Sequence, residues 1–279
     1  MILLYIIMET IKAWIDVAKS DLKSSRLLHE NGHYRNSYYL FQQASEKANK
    51  AFVLYLESLD ENELRKIGHN HINIHVKNIE KSENDASQFL SILKMNPAPF
   101  VFSEENYTEY HNNLQKSLQD INEMKNDIIN LQPNDLMVMA KNLREIKRLK
   151  IRHPEKPNKK YKEALIRYSE WIGGFGTPQA LEAKEEMLKV LEDKEQMQQI
   201  YDATFKQFYP MYFELYFIQY TFFYTSILTT KHETVTRYPD GTNNPETIYN
   251  KKLPVIVKQT VFMNFLEEAL NKLENRLSQ

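Results

Sequence analysis

The 279-residue chain contains no cysteine and only 6 glycines. The first absence excludes disulfides, thiolate metal sites and a cysteine nucleophile, and it is compatible with the cytoplasmic location expected for this chain. The second is about a third of what an average usage near 7% would supply, which leaves few residues for tight hairpins, phosphate-cradling loops or barrel corners. An all-α fold is expected. Long hydrophobic runs are also missing. The stretch Met1 to Ile7 is too short to span a bilayer and lacks the basic segment and small-residue cleavage site of a signal peptide. A helical pattern follows Met8 at once, so Met8 is expected as the natural start, with residues 1–7 contributed by an upstream start codon. The run Met211 to Leu228 carries Glu214, Gln219 and several tyrosines, which suits a central helix rather than a membrane span.

Net charge is scarce as well: 36 Lys and Arg against 37 Asp and Glu. The balance is uneven along the chain. Residues 141–167 hold eleven basic residues against Glu145, Glu155 and Glu163, or +8, which leaves −9 on the remainder. No glycine-rich phosphate loop, Gly-x-Ser-x-Gly or His-Glu-x2-His motif occurs, and no cofactor is expected.

The 42% of hydrophobic residues is enough for a sizeable core, and their spacing is helical. Ile11, Trp14, Ala18, Leu22, Ser25 and Leu28 form one face, stopped by Asn31-Gly32. Tyr38, Phe41, Ala44, Ala48, Ala51 and Tyr55 form a second, so the short linker between them predicts an antiparallel hairpin. A third helix is predicted from about His71 to Leu93, ended by Pro97 and Pro99, and a fourth from the cap Ser103 to Leu131. A basic helix follows from Asp135 to about Arg152, then Lys159 to Ile172. Thr177-Pro178 opens a helix expected to reach Phe208, with Pro210 interrupting before the aromatic helix to Leu228. The last helix is predicted from Pro254 to Leu277.

Trp14-x3-Ala18-x2-Asp21-Leu22, the turn Gly32-His33-Tyr34, and Gln42-Gln43-Ala44-x-Glu46-Lys47-Ala48-x-Lys50-Ala51 resemble the opening hairpin of the HEPN family. Arg237-Tyr238-Pro239-Asp240 before the last helix is similar to the segment that precedes the final helix in many members. The resemblance implies an antiparallel up-and-down helical bundle. It is expected from residues 8–95 and 209–279, with residues 96–208 as a helical insertion holding the basic segment. It also implies function. Members either cleave RNA without metal, using Arg-x4-6-His near the final helices, or act as non-catalytic partners of nucleotidyltransferases, often as dimers.

No such motif lies in the last helix here. Two substitutes occur elsewhere, Arg148-x4-His153 and Arg65-x5-His71. His69, His71 and His75 are expected as hydrogen-bonding imidazoles rather than metal ligands. Candidate nucleic-acid or phosphate contacts are Lys141, Arg144, Lys147, Arg148, Arg152, His232 and Arg237, with Tyr161, Tyr168 and Trp171 available for stacking. Arg237 has a second reading, as a cap for the aromatic helix. The tyrosine-rich helix is expected as core or dimer interface.

The expected function is therefore a HEPN-like, non-catalytic homodimer that binds RNA, a nucleotide or a nucleotidyltransferase in a toxin–antitoxin-like pair. The alternatives are a metal-independent endoribonuclease using Arg148 and His153, and a purely structural bundle.

Overall fold

The computed structural model describes residues 2–56, 61–95, 104–127, 131–150, 152–230, 232–239 and 244–278. All its regular elements are helices, and no strand occurs among the described residues. None of these helices is long and apolar enough to cross a membrane. The predicted cap Ser103, the stops Pro97 and Pro99, and the turn residues Asp240 and Gly241 lie outside the described residues.

The opening hairpin joins α1 (Ile2–Glu30) to α2 (Tyr34–Tyr55). Its turn is a Schellman motif: the His33 N–H donates to the Leu28 carbonyl at 2.9 Å and the Gly32 N–H to that of His29 at 3.1 Å. Gly32 supplies the left-handed backbone this requires, at φ +79°. The helices then approach through small residues, and Ala18, Ser25, Ser37, Ala44, Ala48 and Ala51 are all fully buried. Two serines lock the pairing, since Ser25 Oγ donates to the Ser37 carbonyl and Ser37 Oγ to that of Ser25 at 2.6 and 2.8 Å.

Two compact units follow from the packing. The first comprises residues 1–78, 121–149 and 213–279. It holds α1, α2, a short α3 (Glu61–Ile67), the start of α4 (Ile72–Met95), the end of α5 (Glu104–Asp127), α6 (Pro133–Lys147), most of α10 (Tyr209–Thr229), the short α11 (His232–Val235) and α12 (Pro245–Ile248), and α13 (Pro254–Leu277). Its core is Ile15, Phe41, Phe217, Phe222, Phe262, Leu266 and Leu270. α13 runs antiparallel to α1, tied by Lys19–Glu274 at 2.6 Å and Arg26–Glu267 at 3.0 Å. Glu214 joins α10 to Lys272 and Arg276 of α13.

The second unit comprises residues 79–120 and 150–212. In it α7 (Lys159–Gly173) and α8 (Pro178–Glu192) form a hairpin, with Thr177 Oγ1 capping the Ala180 N–H as the sequence predicts. The helix expected to run on to Phe208 is divided at Asp193, whose carboxylate accepts from the N–H groups of Glu195 and Gln196 and so restarts it as α9 (Lys194–Asp202). A π-helical segment, Ala203–Phe208, then leads into α10. Pro210 does not interrupt the helix. It falls in the first turn of α10, directly after the wide turn in which the Tyr209 N–H reaches the Thr204 carbonyl.

These units divide the chain differently from the expected 8–95 plus 209–279 bundle and 96–208 insertion. The physical reason is α6, which buries Leu136, Met139, Ala140 and Leu143 and packs on α13. The α3 helix also stands between the second and third helices, where none is predicted from the sequence.

Replacing Gly32 by Ala is expected to destabilise the protein by about 1 kcal/mol, because a Cβ is disfavoured in the left-handed region even where space is open. Urea unfolding followed by circular dichroism measures it, and an unchanged midpoint would show that this turn tolerates a side chain.

Candidate functional site

A buried polar seam runs through the first unit where α2, the start of α4 and α10 meet. Its depth comes from sequence. The α10 helix is apolar nearly all round but carries Thr221, Thr225, Ser226 and Thr229, each fully buried. Helix α2 presents Ser45 and Asn49 toward them. Ser45 Oγ donates to Thr225 Oγ1 at 3.0 Å, and Asn49 Nδ2 donates to Ser226 Oγ at 2.9 Å. His75 Nε2 reaches the same Ser226 oxygen at 3.3 Å, and Ser226 passes its own proton to the Phe222 carbonyl.

His71 completes the seam. Its Nδ1 lies 3.2 Å from the His69 carbonyl and its Nε2 3.0 Å from the Thr229 hydroxyl, which itself donates to the Thr225 carbonyl at 2.6 Å. The His71 N–H bonds the same His69 carbonyl, so the loop after Gly68 is held from both backbone and side chain. At the outer edge of the seam His69 donates from Nδ1 to both Glu46 oxygens, at 3.1 and 3.2 Å, while Lys50 bonds Glu46 at 2.7 Å. Burial by itself would raise the Glu46 carboxyl, but its hydrogen bonds from Lys50 and His69 and the charge of Lys50 hold it below the usual range. Lys50 also lies over the Trp14 ring, 5.3 Å from its centre. Gln42, one turn before Glu46, is fully buried with neither amide atom bonded among the described residues.

A second polar corner joins α2 to α11 and α12. The Tyr249 hydroxyl and His232 Nδ1 share a hydrogen bond of 2.7 Å, and the Tyr38 hydroxyl donates to the Leu228 carbonyl at 2.6 Å. Arg237 lies over the Tyr39 ring at 5.0 Å and donates from Nη2 to its hydroxyl at 3.2 Å. Tyr38 therefore serves the end of α10, the task the sequence offered to Arg237. His232 is buried, with 4% exposure.

The basic segment is divided between the two units. Lys141, Arg144, Lys147 and Arg148 lie in the first unit, whereas Arg152 and His153 lie in the second. Lys141 pairs with Glu145 at 3.7 Å and Lys147 with Glu268 at 2.8 Å. Arg144 and Arg148 are exposed. His153 stacks on Phe205, with centroids 4.8 Å apart, and its Nδ1–H donates to the Pro154 carbonyl at 2.9 Å. Tyr161 packs on Tyr201 and Phe205, while Tyr168 and Trp171 pack on each other. Among the described residues no group of three His, Asp or Glu is placed to hold a metal ion.

The HEPN domain model matches residues 11–94. These residues belong to the HEPN domain family. No curated protein and no solved structure matches the chain. The HEPN region supplies Trp14, Glu46, Lys50, His69, His71 and His75, while α10, outside it, supplies the hydroxyls that receive the two inner histidines. The characteristic polar residues of the HEPN hairpin thus act in pairs: Asp21 with Lys47 at 2.7 Å, and Glu46 with Lys50. Sequence reading missed Ser45, Asn49, Thr225, Ser226 and Thr229. The available signal was the row of small hydroxyl residues along an otherwise aromatic helix.

The buried histidines set a pH dependence. Burial pushes the imidazoles of His71, His75 and His232 down to about 4, about 3 and about 4. In the unfolded chain they titrate near 6.5, so between about 4 and 6.5 the unfolded state binds more protons and stability falls as pH falls. The melting temperature is expected to decline from pH 6.5 to 4.5, above the range in which Glu46 protonates. His75→Gln should make that decline shallower in thermal melts. A flat profile for the unaltered protein would contradict neutral buried imidazoles.

Proposed function

We propose that this protein is a non-catalytic HEPN-domain module that acts by binding, as a homodimer and with a nucleotidyltransferase as partner in a toxin–antitoxin-like pair. The observation that carries the reading is the state of three histidines in the bundle unit. His71, His75 and His232 are buried and neutral, and each is held by a hydroxyl of its own fold. A general acid or base must reach the proton it moves. These rings meet protein hydroxyls instead.

The best Arg–His spacing in the sequence supports the same reading. Arg148 and His153 belong to different units, and the His153 ring is engaged by Phe205, Tyr201 and the Pro154 carbonyl. No histidine occurs in α13, where catalytic members carry theirs. Partner and dimer come from the family resemblance, in which non-catalytic members pair with nucleotidyltransferases.

The test is incubation of the purified protein with mixed RNA in EDTA, beside an Arg148→Ala/His153→Ala variant. No cleavage by either protein is expected. Cleavage by the unaltered protein that the variant lacks would replace this reading with a metal-independent ribonuclease. Light scattering after size exclusion should give twice the 33.2 kDa chain mass, and a monomer at micromolar concentration would remove the homodimer.

A further inference from the structure

Among the described residues, His69 is the histidine that combines an open ring with a carboxylate at one of its nitrogens. Its side chain is 60% exposed, whereas that of Glu46 is 5% exposed. Both Glu46 oxygens face Nδ1, at 3.1 and 3.2 Å. Burial opposes ionisation of Glu46, yet the hydrogen bonds from Lys50 and His69 keep its carboxyl below the usual range. At neutral pH that group is ionised and can only accept, so the proton between the two side chains sits on Nδ1. Nε2 then carries the lone pair, and it has no partner among the described residues.

An exposed side chain ordinarily keeps much of its rotamer freedom. This ring is fixed from two sides. Gly68, at φ +65°, turns the chain out of α3, and the His69 carbonyl accepts from the His71 N–H at 2.9 Å with the His71 Nδ1 3.2 Å away. On the other side Lys50 anchors the Glu46 carboxylate at 2.7 Å and itself lies over the Trp14 ring. The arrangement is that of an activated nucleophile: an imidazole oriented by a carboxylate, with its basic nitrogen open. Other histidines lack one part of it. His111 meets Glu83 through Nε2 at 2.7 Å, but its side chain is only 18% exposed. His33 is exposed and is in no ion pair among the described residues.

We propose that His69 is a modification site, accepting a phosphoryl group at Nε2 from a small acyl phosphate. The Nε2 lone pair forms the N–P bond as the P–O bond to the donor's acyl group breaks, and the carboxylate leaves as an anion. No proton has to move, and nothing is oxidised or reduced. The ring becomes a cation that keeps its Nδ1 proton, and the Glu46 carboxylate facing that proton stabilises it. Glu46 is therefore a positioning residue. A phosphoryl group suits this place better than an acyl group, because an acyl imidazole in contact with water is soon hydrolysed. Glu46 and Lys50 are matched to each other, so what the site offers a donor is the open nitrogen and not a surplus of charge. The proposal is independent of the non-catalytic reading of the bundle, since an acceptor turns nothing over.

The test is incubation of the full chain with acetyl phosphate at neutral pH. Peptide mass spectrometry under alkaline conditions, which preserve phosphohistidine, locates the label, and phosphorus NMR separates the Nε2 from the Nδ1 adduct. His33 and His111 serve as references within the same molecule. His69 is expected to be labelled at Nε2, at least about tenfold faster than either reference, the rate equivalent of one charge-assisted hydrogen bond. Glu46→Gln should bring His69 down to the rate of His33 and leave His33 itself unchanged, and His69→Gln should remove the fast label. Circular dichroism establishes whether Glu46→Gln is folded, and where it is not, the ratio of His69 to His33 in the unaltered protein decides. Labelling of His69 no faster than His33, a label at Nδ1, or an unchanged rate in folded Glu46→Gln would each overturn the proposal.

Discussion

The arrangement of the bundle unit depends on hydrogen bonds that must be closed away from water between α2, α4 and α10. An apolar helix contact tolerates sliding by a turn at modest cost, because one aliphatic side chain substitutes for another. A seam built from Ser45, Asn49, His71, His75, Thr225, Ser226 and Thr229 does not. Its donors and acceptors sit on three different helices, and a slip of one residue would strand several buried polar atoms at about 1–3 kcal/mol each. The seam therefore holds α10 in register against α2 and seats the start of α4. It also accounts for the state of the histidines. A ring enclosed by helices and bonded to hydroxyls is most stable when neutral, and the groups that look like chemistry in the sequence become part of the packing.

At the surface the same unit works differently. Glu46, Lys50 and His69 form a charged edge to the seam, with Glu46 buried and His69 largely in solvent. Their contacts explain why the hairpin carries acidic and basic residues at the spacings that mark the HEPN family. Lys47 reaches back to Asp21 of α1, while Glu46 and Lys50 lie one turn apart and meet each other. The paired charges on the helix are held together, which leaves no clear surplus for an external ligand there.

The second unit has the opposite economy. Its aromatic residues are concentrated on α7, α9, the π segment and the start of α10, and several stay half exposed. Among the described residues, Arg152, Lys156 and Lys160 are in no ion pair. Part of the +8 segment thus lies in the bundle unit, where Lys141 and Lys147 are in ion pairs, and the rest lies in the second unit, where Lys159 pairs with Glu163. A charge count along the sequence treats the two halves alike, because it has no term for what each side chain meets.

Much of this fold was legible beforehand, and the reason is periodicity. The stripes through Ala18, Leu22 and Ser25, and through Phe41, Ala44 and Ala48, define helix faces whatever lies against them. Gly32, Pro133, Thr177 and Pro254 punctuate the chain by local backbone chemistry alone. Other features were not legible. The break at Asp193, the passage of Pro210 into a continuous helix, and the assignment of α6 to the bundle all depend on what a turn or a face contacts. Composition and spacing by themselves determined an all-helical chain, and the motif residues from Trp14 to Ala51 carried the resemblance to the HEPN hairpin. Only the tertiary structure decided which polar residues are spent in the interior and which remain for a partner, because burial and pairing are properties of two elements meeting and never of one.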